Sequence, residues 1–254
     1  MPKLHKPISA CSLKCLGSCA AIALTCWYLL PFAFPLTNPL NIPTASPLQH
    51  THDSATTAAY PTLLVQATLA AEDKRFYSHA GVDISANLRA IKDAIQAKRF
   101  VSGASTITQQ TVKLLNDTPP RTLETKLREA LSARHLEMLH DKDTILANYF
   151  HLLDYGNHNR GPAAAARHYF NKQLEELTLS EAALLAGLPQ APSRLNPRRN
   201  PVKALKRRNW VLERMHIVYD YPLAQISHAQ AQPLGLVSGR SNNNKHPRVA
   251  LTSH

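Results

Sequence analysis

The sequence predicts a mainly α fold behind an N-terminal transmembrane helix. Apolar residues recur at three- and four-residue spacing through most of the chain, the signature of amphipathic helices. Glycine is scarce, at 8 of 254 residues, and no internal repeat is evident. Residues 15–34 pass without a charge.

That first stretch, CLGSCAAIALTCWYLLPFAF, is about long enough to cross the roughly 30 Å hydrocarbon layer as a helix. Lys3, Lys6 and Lys14 precede it, so residues 1–14 are expected in the cytoplasm and everything after Phe34 outside. Trp27 and Tyr28 lie toward the outer end, where interfacial aromatics belong. A cleaved signal peptide is the rival reading, but the apolar stretch is long and no A-x-A site follows. A lipoprotein reading of LGSC, ending at Cys19, meets Lys14 inside a very short apolar core.

All four cysteines, Cys11, Cys15, Cys19 and Cys26, fall in this region and read as apolar filler of a membrane helix. The folded domain therefore has no cysteine for a disulfide framework, a metal site or a nucleophile. In residues 35–58, Pro35, Pro39, Pro43 and Pro47 recur at every fourth position. Such a segment favours an extended spacer of roughly 3 Å per residue. A domain over residues 59–236 follows, and 237–254 reads as a disordered polar tail.

The formal charge of +12 is unevenly spread. No Asp or Glu precedes Asp53 or follows residue 236, and without the six basic residues of the two ends the centre carries only +6. A moderately basic domain with no dense arm suits an anionic ligand or a membrane surface at least as well as nucleic acid.

Within the domain, Leu63, Leu64, Ala67, Ala70 and Ala71 form an apolar helix face leading directly into Glu72. Ile84, Leu88, Ile91 and Ile95 suggest a second helix, with Arg89, Lys92, Lys98 and Arg99 around it. In VSGASTITQQTVKLL, Gly103 gives a turn and Ser105 or Thr106 can cap the following helix. Gln109 and Gln110 lie four and three residues before Lys113, so amides and an ammonium share one face. Such a helix start is a plausible phosphate site; the plain alternative is a capped helix with solvated polar residues.

In RTLETKLREALSARHLE, Leu123, Leu127, Ala130 and Leu131 form the expected buried side, and Glu129, Ala133 and Glu137 continue the line of Lys126. Lys126 and Glu129 also fit an i,i+3 salt bridge of a few tenths of a kcal/mol. TLSEAALLAGLP pairs Thr178 with Glu181 in a capping box, with Gly187 and Pro189 to end the helix, and reads as structural core.

Taken in order, AEDKRFYSHAGVD, GASTITQQTVK, RTLETKLREA, KDTILANYFHLLDYGNHNRGPAAAARHYFNK and LTLSEAALLAGLPQAPSRLNP resemble the five signature motifs of family 51 glycosyltransferases. These are the peptidoglycan transglycosylase modules of class A penicillin-binding proteins and of monofunctional glycosyltransferases. RTLETKLRE and APSRLNP look closest to the type 1c branch. Neither Ser-x-x-Lys nor Lys-Thr-Gly occurs, so the chain resembles a monofunctional enzyme without a transpeptidase module.

The resemblance implies a lysozyme-like, two-lobed helical fold on the outer side of a bacterial inner membrane. It implies lipid II and the growing glycan strand as substrates. Glu72 corresponds to the general base and Glu129 to the second carboxylate. Lys113, Arg121, Lys126 and Arg128 match the cations that meet the departing pyrophosphate. Asp73, Phe76, His79 and Gly81 look like the scaffold that sets Glu72, while Ser105, Thr106, Gln109 and Gln110 would line the cleft.

The chain departs from the family pattern at Thr125, where an Arg is usual before Lys126, at Tyr149-Phe150-His151 and at Pro162. Arg121 or Arg128 would compensate for the missing cation. No cofactor is required by the sequence, although a divalent cation (Mg or Mn) with the pyrophosphate fits the family. The thirteen histidines show no H-E-x-x-H or comparable ligand spacing.

Two other readings stay open: a lysozyme-like muramidase, which needs no pyrophosphate-binding cations, and a non-catalytic lipid II-binding scaffold that recruits other cell-wall synthesis proteins. The basic stretch PRRNPVKALKRRNW would suit phosphates, but the topology places it outside the cytoplasm. A solvated, partly membrane-facing helix is the expectation, and nucleic acid is not an expected partner.

Overall fold

Residues 59–97, 105–116 and 122–238 are described by the structure, a computed structural model. The expected membrane helix, the proline-rich linker, the turn at Gly103 and Arg121 lie outside the described residues. No helix among those described is long and apolar enough to cross a membrane. The described residues contain no β-strand, only isolated bridges at Ala80–Val82 and Asp154–Arg160. The mainly α expectation holds.

The chain divides into two compact units. One holds Tyr60–Lys74 and the residues from Leu153 onward; the other holds Arg75–Leu152. In the first unit, α1 (Thr62–Glu72) packs against α7 (Leu179–Gly187) and α8 (Pro201–Tyr219). Its core joins Ala67 and Ala70 to Ala183 and Ala186, with Val211, Leu212 and Met215 from α8 and Ile226 and Ala229 from α9 (Leu223–Ala231). Small side chains on α1 and α7 let the two backbones approach closely, which fixes where α1 delivers its last residue, Glu72.

The ends of these helices follow local chemistry. Thr178 caps α7 in a reciprocal box with Glu181. Pro201 opens α8, and Asp220 ends it in the left-handed conformation (φ 56°). Pro162 is the first residue of α6 (Pro162–Phe170), behind Gly161 at φ 78°. A proline fits that position because its missing N–H has no helical partner there, so this departure from the family pattern is accommodated by the fold. The expected tail boundary falls at 237, yet the Val237 N–H donates to the Tyr169 carbonyl at 2.9 Å. Arg198 reaches the carbonyls of Val237 (2.8 Å) and His168 (3.0 Å).

In the second unit, α3 (Ile107–Leu115) packs against α4 (Leu123–Leu139) and α5 (Lys142–Leu152). The predicted faces of α4 hold only in part: Ala130 and Leu131 are half-buried and Lys126 is exposed, but other positions differ. Leu127 is 56% exposed, whereas Ala133 and Leu136 are buried and the Glu137 side chain is only 5% exposed. Two long-range contacts decide this. Gly81 (φ +85°) presses onto the α4 backbone, where an added Cβ would stand 2.7 Å from the Ala133 carbonyl carbon. The Glu137 carboxylate accepts from Thr108 Oγ1 (2.5 Å) and Lys142 Nζ (2.6 Å). A buried carboxylate needs such partners, and they come from α3 and α5. α2 (Ile84–Ala97) leaves Ile84 and Leu88 47% and 62% exposed.

Candidate active site

Glu72 ends α1 with its side chain 14% exposed, and Oε1 accepts from Arg207 Nη2 at 3.1 Å. Arg207 lies on α8, 135 residues away in sequence. The next residue, Asp73, is buried, and its backbone N–H donates to the Leu69 carbonyl, closing the helix. A carboxylate largely screened from water and hydrogen-bonded to a guanidinium is restrained in orientation.

Sequence reasoning missed Arg207. PRRNPVKALKRRNW is solvated only in part: Arg199, Lys203 and Lys206 are exposed, but Arg198, Arg207 and Arg208 turn inward. Arg207 belongs with Glu72, and Arg208 is fully buried. Arg208 donates to Ser180 Oγ (3.0 Å) and to the carbonyls of Gln232 (2.6 Å) and Gln230 (2.7 Å). Burial pushes its pKa below the usual arginine value. A signal was present: Ala204, Arg208, Val211, Leu212 and Met215 follow one helical stripe, so the period already put an arginine in the core.

The second unit gathers a different set. Lys126 Nζ donates to Glu129 Oε2 at 2.7 Å and to Ser105 Oγ at 2.9 Å, tying α4 to the segment that leads into α3. Gln110 accepts from the Tyr149 hydroxyl at 3.1 Å, and Lys113 is half-buried on the last turn of α3. A hydroxyl, an ammonium and a carboxylate thus converge on one locus.

Thr106 and Gln109 are buried and serve the fold. Thr106 caps α3, exchanging hydrogen bonds with Gln109, and its hydroxyl donates to the Gly81 carbonyl at 2.6 Å. The capping box engages the Thr106 hydroxyl and the Gln109 side-chain oxygen. Phe76 is 1% exposed, with Lys142 Nζ 4.4 Å from its ring centroid. The His79 side chain is 3% exposed, with Nδ1 4.0 Å from Glu137. Both lie in the interior of the second unit.

Arg128 pairs with Glu124 at 2.7 Å on the exposed side of α4. Thr125 supplies no cation; its N–H and hydroxyl bond to Thr122, the cap of α4. His151 is exposed. Among the described residues, no cluster of three or more His, Cys, Asp or Glu could hold a metal ion. A cavity of about 640 Å³ lined by Ser180, Glu181, His228 and Gln232 contains none of the predicted site residues.

The fold and these two loci define a class: a helical protein with one carboxylate gripped by arginine and another by lysine. Residues 42–216 match the family model described as Transglycosylase, and the chain belongs to that family. It is 47% identical to penicillin-binding protein 1A of Neisseria cinerea over 156 residues, 61% of this chain and 20% of that protein. Identity to penicillin-binding protein 1A of Aquifex aeolicus is 46% over 155 residues, 61% of this chain and 21% of that protein. A crystal structure of penicillin-binding protein 1A from Haemophilus influenzae aligns at 34% identity over 40% of this chain and 15% of that one, with a TM-score of 0.37. The chain spans about a fifth of the length of the curated relatives it matches.

Proposed function

We propose that this chain is a peptidoglycan glycosyltransferase that polymerises lipid II into β-1,4-linked glycan strands. The observation that carries the reading is membership of the transglycosylase family, with Glu72 at the end of α1 in the stretch AEDKRFYSHAG. The lysozyme-like fold implied by the resemblance is part of the proposal, supported by the helical content and the two compact units.

In this reading Glu72 accepts the proton of the acceptor's 4-hydroxyl. That oxygen forms a bond to the donor's anomeric carbon as the bond from that carbon to the pyrophosphate oxygen breaks. The leaving pyrophosphate keeps the electron pair, and attack from the opposite face converts an α linkage to β. A sugar hydroxyl is a poor nucleophile, so positioned proton removal contributes typically about 10²–10⁴-fold. Lys126 and Lys113, with Arg121 and Arg128, are assigned to the charge that gathers on the pyrophosphate. Ser105 and Glu129 orient Lys126.

The donor set around Glu129 is one carboxylate already accepting from Lys126. It does not form a cage for Mg or Mn, and no step is assigned to such an ion. Membrane attachment through residues 15–34, on the outer side of the inner membrane, belongs to the same proposal. Exposed Ile84 and Leu88, on a helix carrying Arg89 and Lys92, support it. The absence of Ser-x-x-Lys and Lys-Thr-Gly describes these 254 residues alone.

The test is polymerisation of labelled lipid II by the full chain in detergent. Long glycan strands are expected from the wild type and none from Glu72→Gln. Binding of lipid II without polymer would favour the scaffold, for which Thr125 in place of a cation is the motive. Soluble fragments released from finished sacculus would favour the muramidase.

A further inference from the structure

The base assigned to Glu72 is reached by a cation from a distant part of the chain, and that cation is itself restrained from several sides. Arg207 Nε faces the Gly187 carbonyl at 3.4 Å, at the C-terminal end of α7, where the helix dipole favours a positive charge. Its guanidinium carbon lies 4.1 Å from the Trp210 ring centroid, a cation–π distance. Its stem runs against Gly187, where an added Cβ would stand 2.9 Å from Arg207 Cγ. The Arg207 side chain is 13% exposed and that of Glu72 14%, so water screens the pair weakly.

An idle surface ion pair has none of these features. It swings with its two long side chains and contributes little. Here glycine, indole and a helix terminus fix the guanidinium, and the guanidinium fixes the carboxylate. A carboxylate offers about four lone-pair sites, so a bond from one guanidinium does not by itself exhaust them.

We infer that Arg207, seated in a slot formed by Gly187 and Trp210, is a positioning residue that aims the Glu72 carboxylate for proton transfer. The inference deepens the glycosyltransferase reading and rests on its assignment of Glu72. A base that wanders by an ångström can lose about 10²-fold in rate, so the effect belongs in kcat. Gly187 then has a role beyond the turn expected of it: any side chain there pushes the Arg207 stem off its seat.

The experiment measures initial rates of lipid II polymerisation against lipid II concentration for the full chain in detergent. The variants are Arg207→Met, Arg207→Lys, Gly187→Ala and Glu72→Gln, each checked by circular dichroism melting. Arg207→Met is expected to lose about 10²-fold in kcat with KM little changed. Arg207→Lys should recover part of that loss, since it restores charge without the planar fork. Gly187→Ala should lower kcat in the same direction.

Wild-type kcat in Arg207→Met beside an inactive Glu72→Gln would overturn the inference alone. So would a raised KM with unchanged kcat, which would make Arg207 a substrate-binding group. Polymer from Glu72→Gln would instead remove the base assignment itself. If Arg207→Met does not fold, wild-type kcat in both Arg207→Lys and Gly187→Ala overturns the inference.

Discussion

The two units hold their carboxylates by opposite means. Glu72 meets a cation 135 residues away, and both side chains are more than four-fifths shielded. Glu129 meets a cation three residues away on its own helix; its own side chain is 13% exposed, but that of Lys126 is 54% exposed. The first arrangement exists only once α1, α7 and α8 have packed; in the second, the ion pair itself needs no more than a turn of helix, and Ser105 adds a contact from outside α4. Local, solvent-facing pairs contribute a few tenths of a kcal/mol and adjust easily. A shielded pair whose partner is removed leaves a charge poorly compensated, at a cost of several kcal/mol. Rigidity therefore belongs with Glu72, where a proton must be taken at a defined place. Adaptability belongs with Lys126 and Glu129, where a leaving group must be met and then released.

The largest effect that would break this comparison is on activity. Glu72→Gln should lower lipid II turnover by at least about 10²–10⁴-fold. Glu129→Gln should cause a strong but smaller loss, because Lys126 keeps Ser105 as a partner. Steady-state rates on the two purified variants check this, with melting temperatures near wild type. Equal and mild losses in both would erase the distinction between the two loci.

Next in size are the two faces of α4. Leu136 is 2% exposed and should lose about 2–5 kcal/mol of stability on truncation to alanine. Leu127, 56% exposed, should change by no more than about 0.5 kcal/mol. Urea unfolding of both variants measures the difference. A costly Leu127→Ala would restore the face predicted from periodicity.

The α4 and α8 helices also show where sequence reading stops. Thr178 with Glu181, and a cap at Ser105 or Thr106, were legible because capping is settled within four residues. The apolar face of α1 was legible because it is plainly periodic. The faces of α4 were misjudged in part because Gly81 and the partners of Glu137 arrive from other elements and bury a carboxylate in preference to a leucine. Arg207 and Arg208 were misjudged for a related reason. Their neighbours suggested a solvated cationic run, while their partners, Glu72, Ser180 and the carbonyls of residues 230 and 232, are remote in sequence. What one helix decides alone can be read from its letters; what two helices decide together cannot.

A smaller effect separates charged from neutral caps. Asp83 accepts from the Ala86 N–H (2.8 Å) and the Ser85 hydroxyl (2.8 Å), and lies 3.1 Å from Arg75. Burial pushes its pKa up, but those hydrogen bonds and the nearby positive charge outweigh it and hold the carboxyl below its ordinary value. A carboxylate whose folded pKa is depressed stabilises the fold above the unfolded value of about 4, and that stability is lost as pH falls through the folded value. Asp83→Ala should cost about 1 kcal/mol at neutral pH. Asp83→Asn should keep most of the cap while flattening the decline below about pH 4. Thr178→Ala in the other unit should cost a similar amount without removing a titrating group of its own. Melting curves between neutral and acid pH distinguish the three.

The smallest expected effect bears on how far the adaptable locus extends. Arg128 donates to Glu124 through Nε and Nη2, at 3.0 and 2.7 Å, on a face where Glu124 is 72% exposed. As an i,i+4 helix pair it should contribute only about 0.3–0.5 kcal/mol to stability, so Arg128→Ala should barely move the unfolding midpoint. Turnover is the sharper measure. If Arg128 supplies the positive charge that Thr125 does not, the same variant should lose several-fold in rate, and more so at low salt, where exposed charges act over longer distances. If rate and stability are both unchanged, Arg128 drops out of the pyrophosphate site and Lys126 carries that role with Lys113.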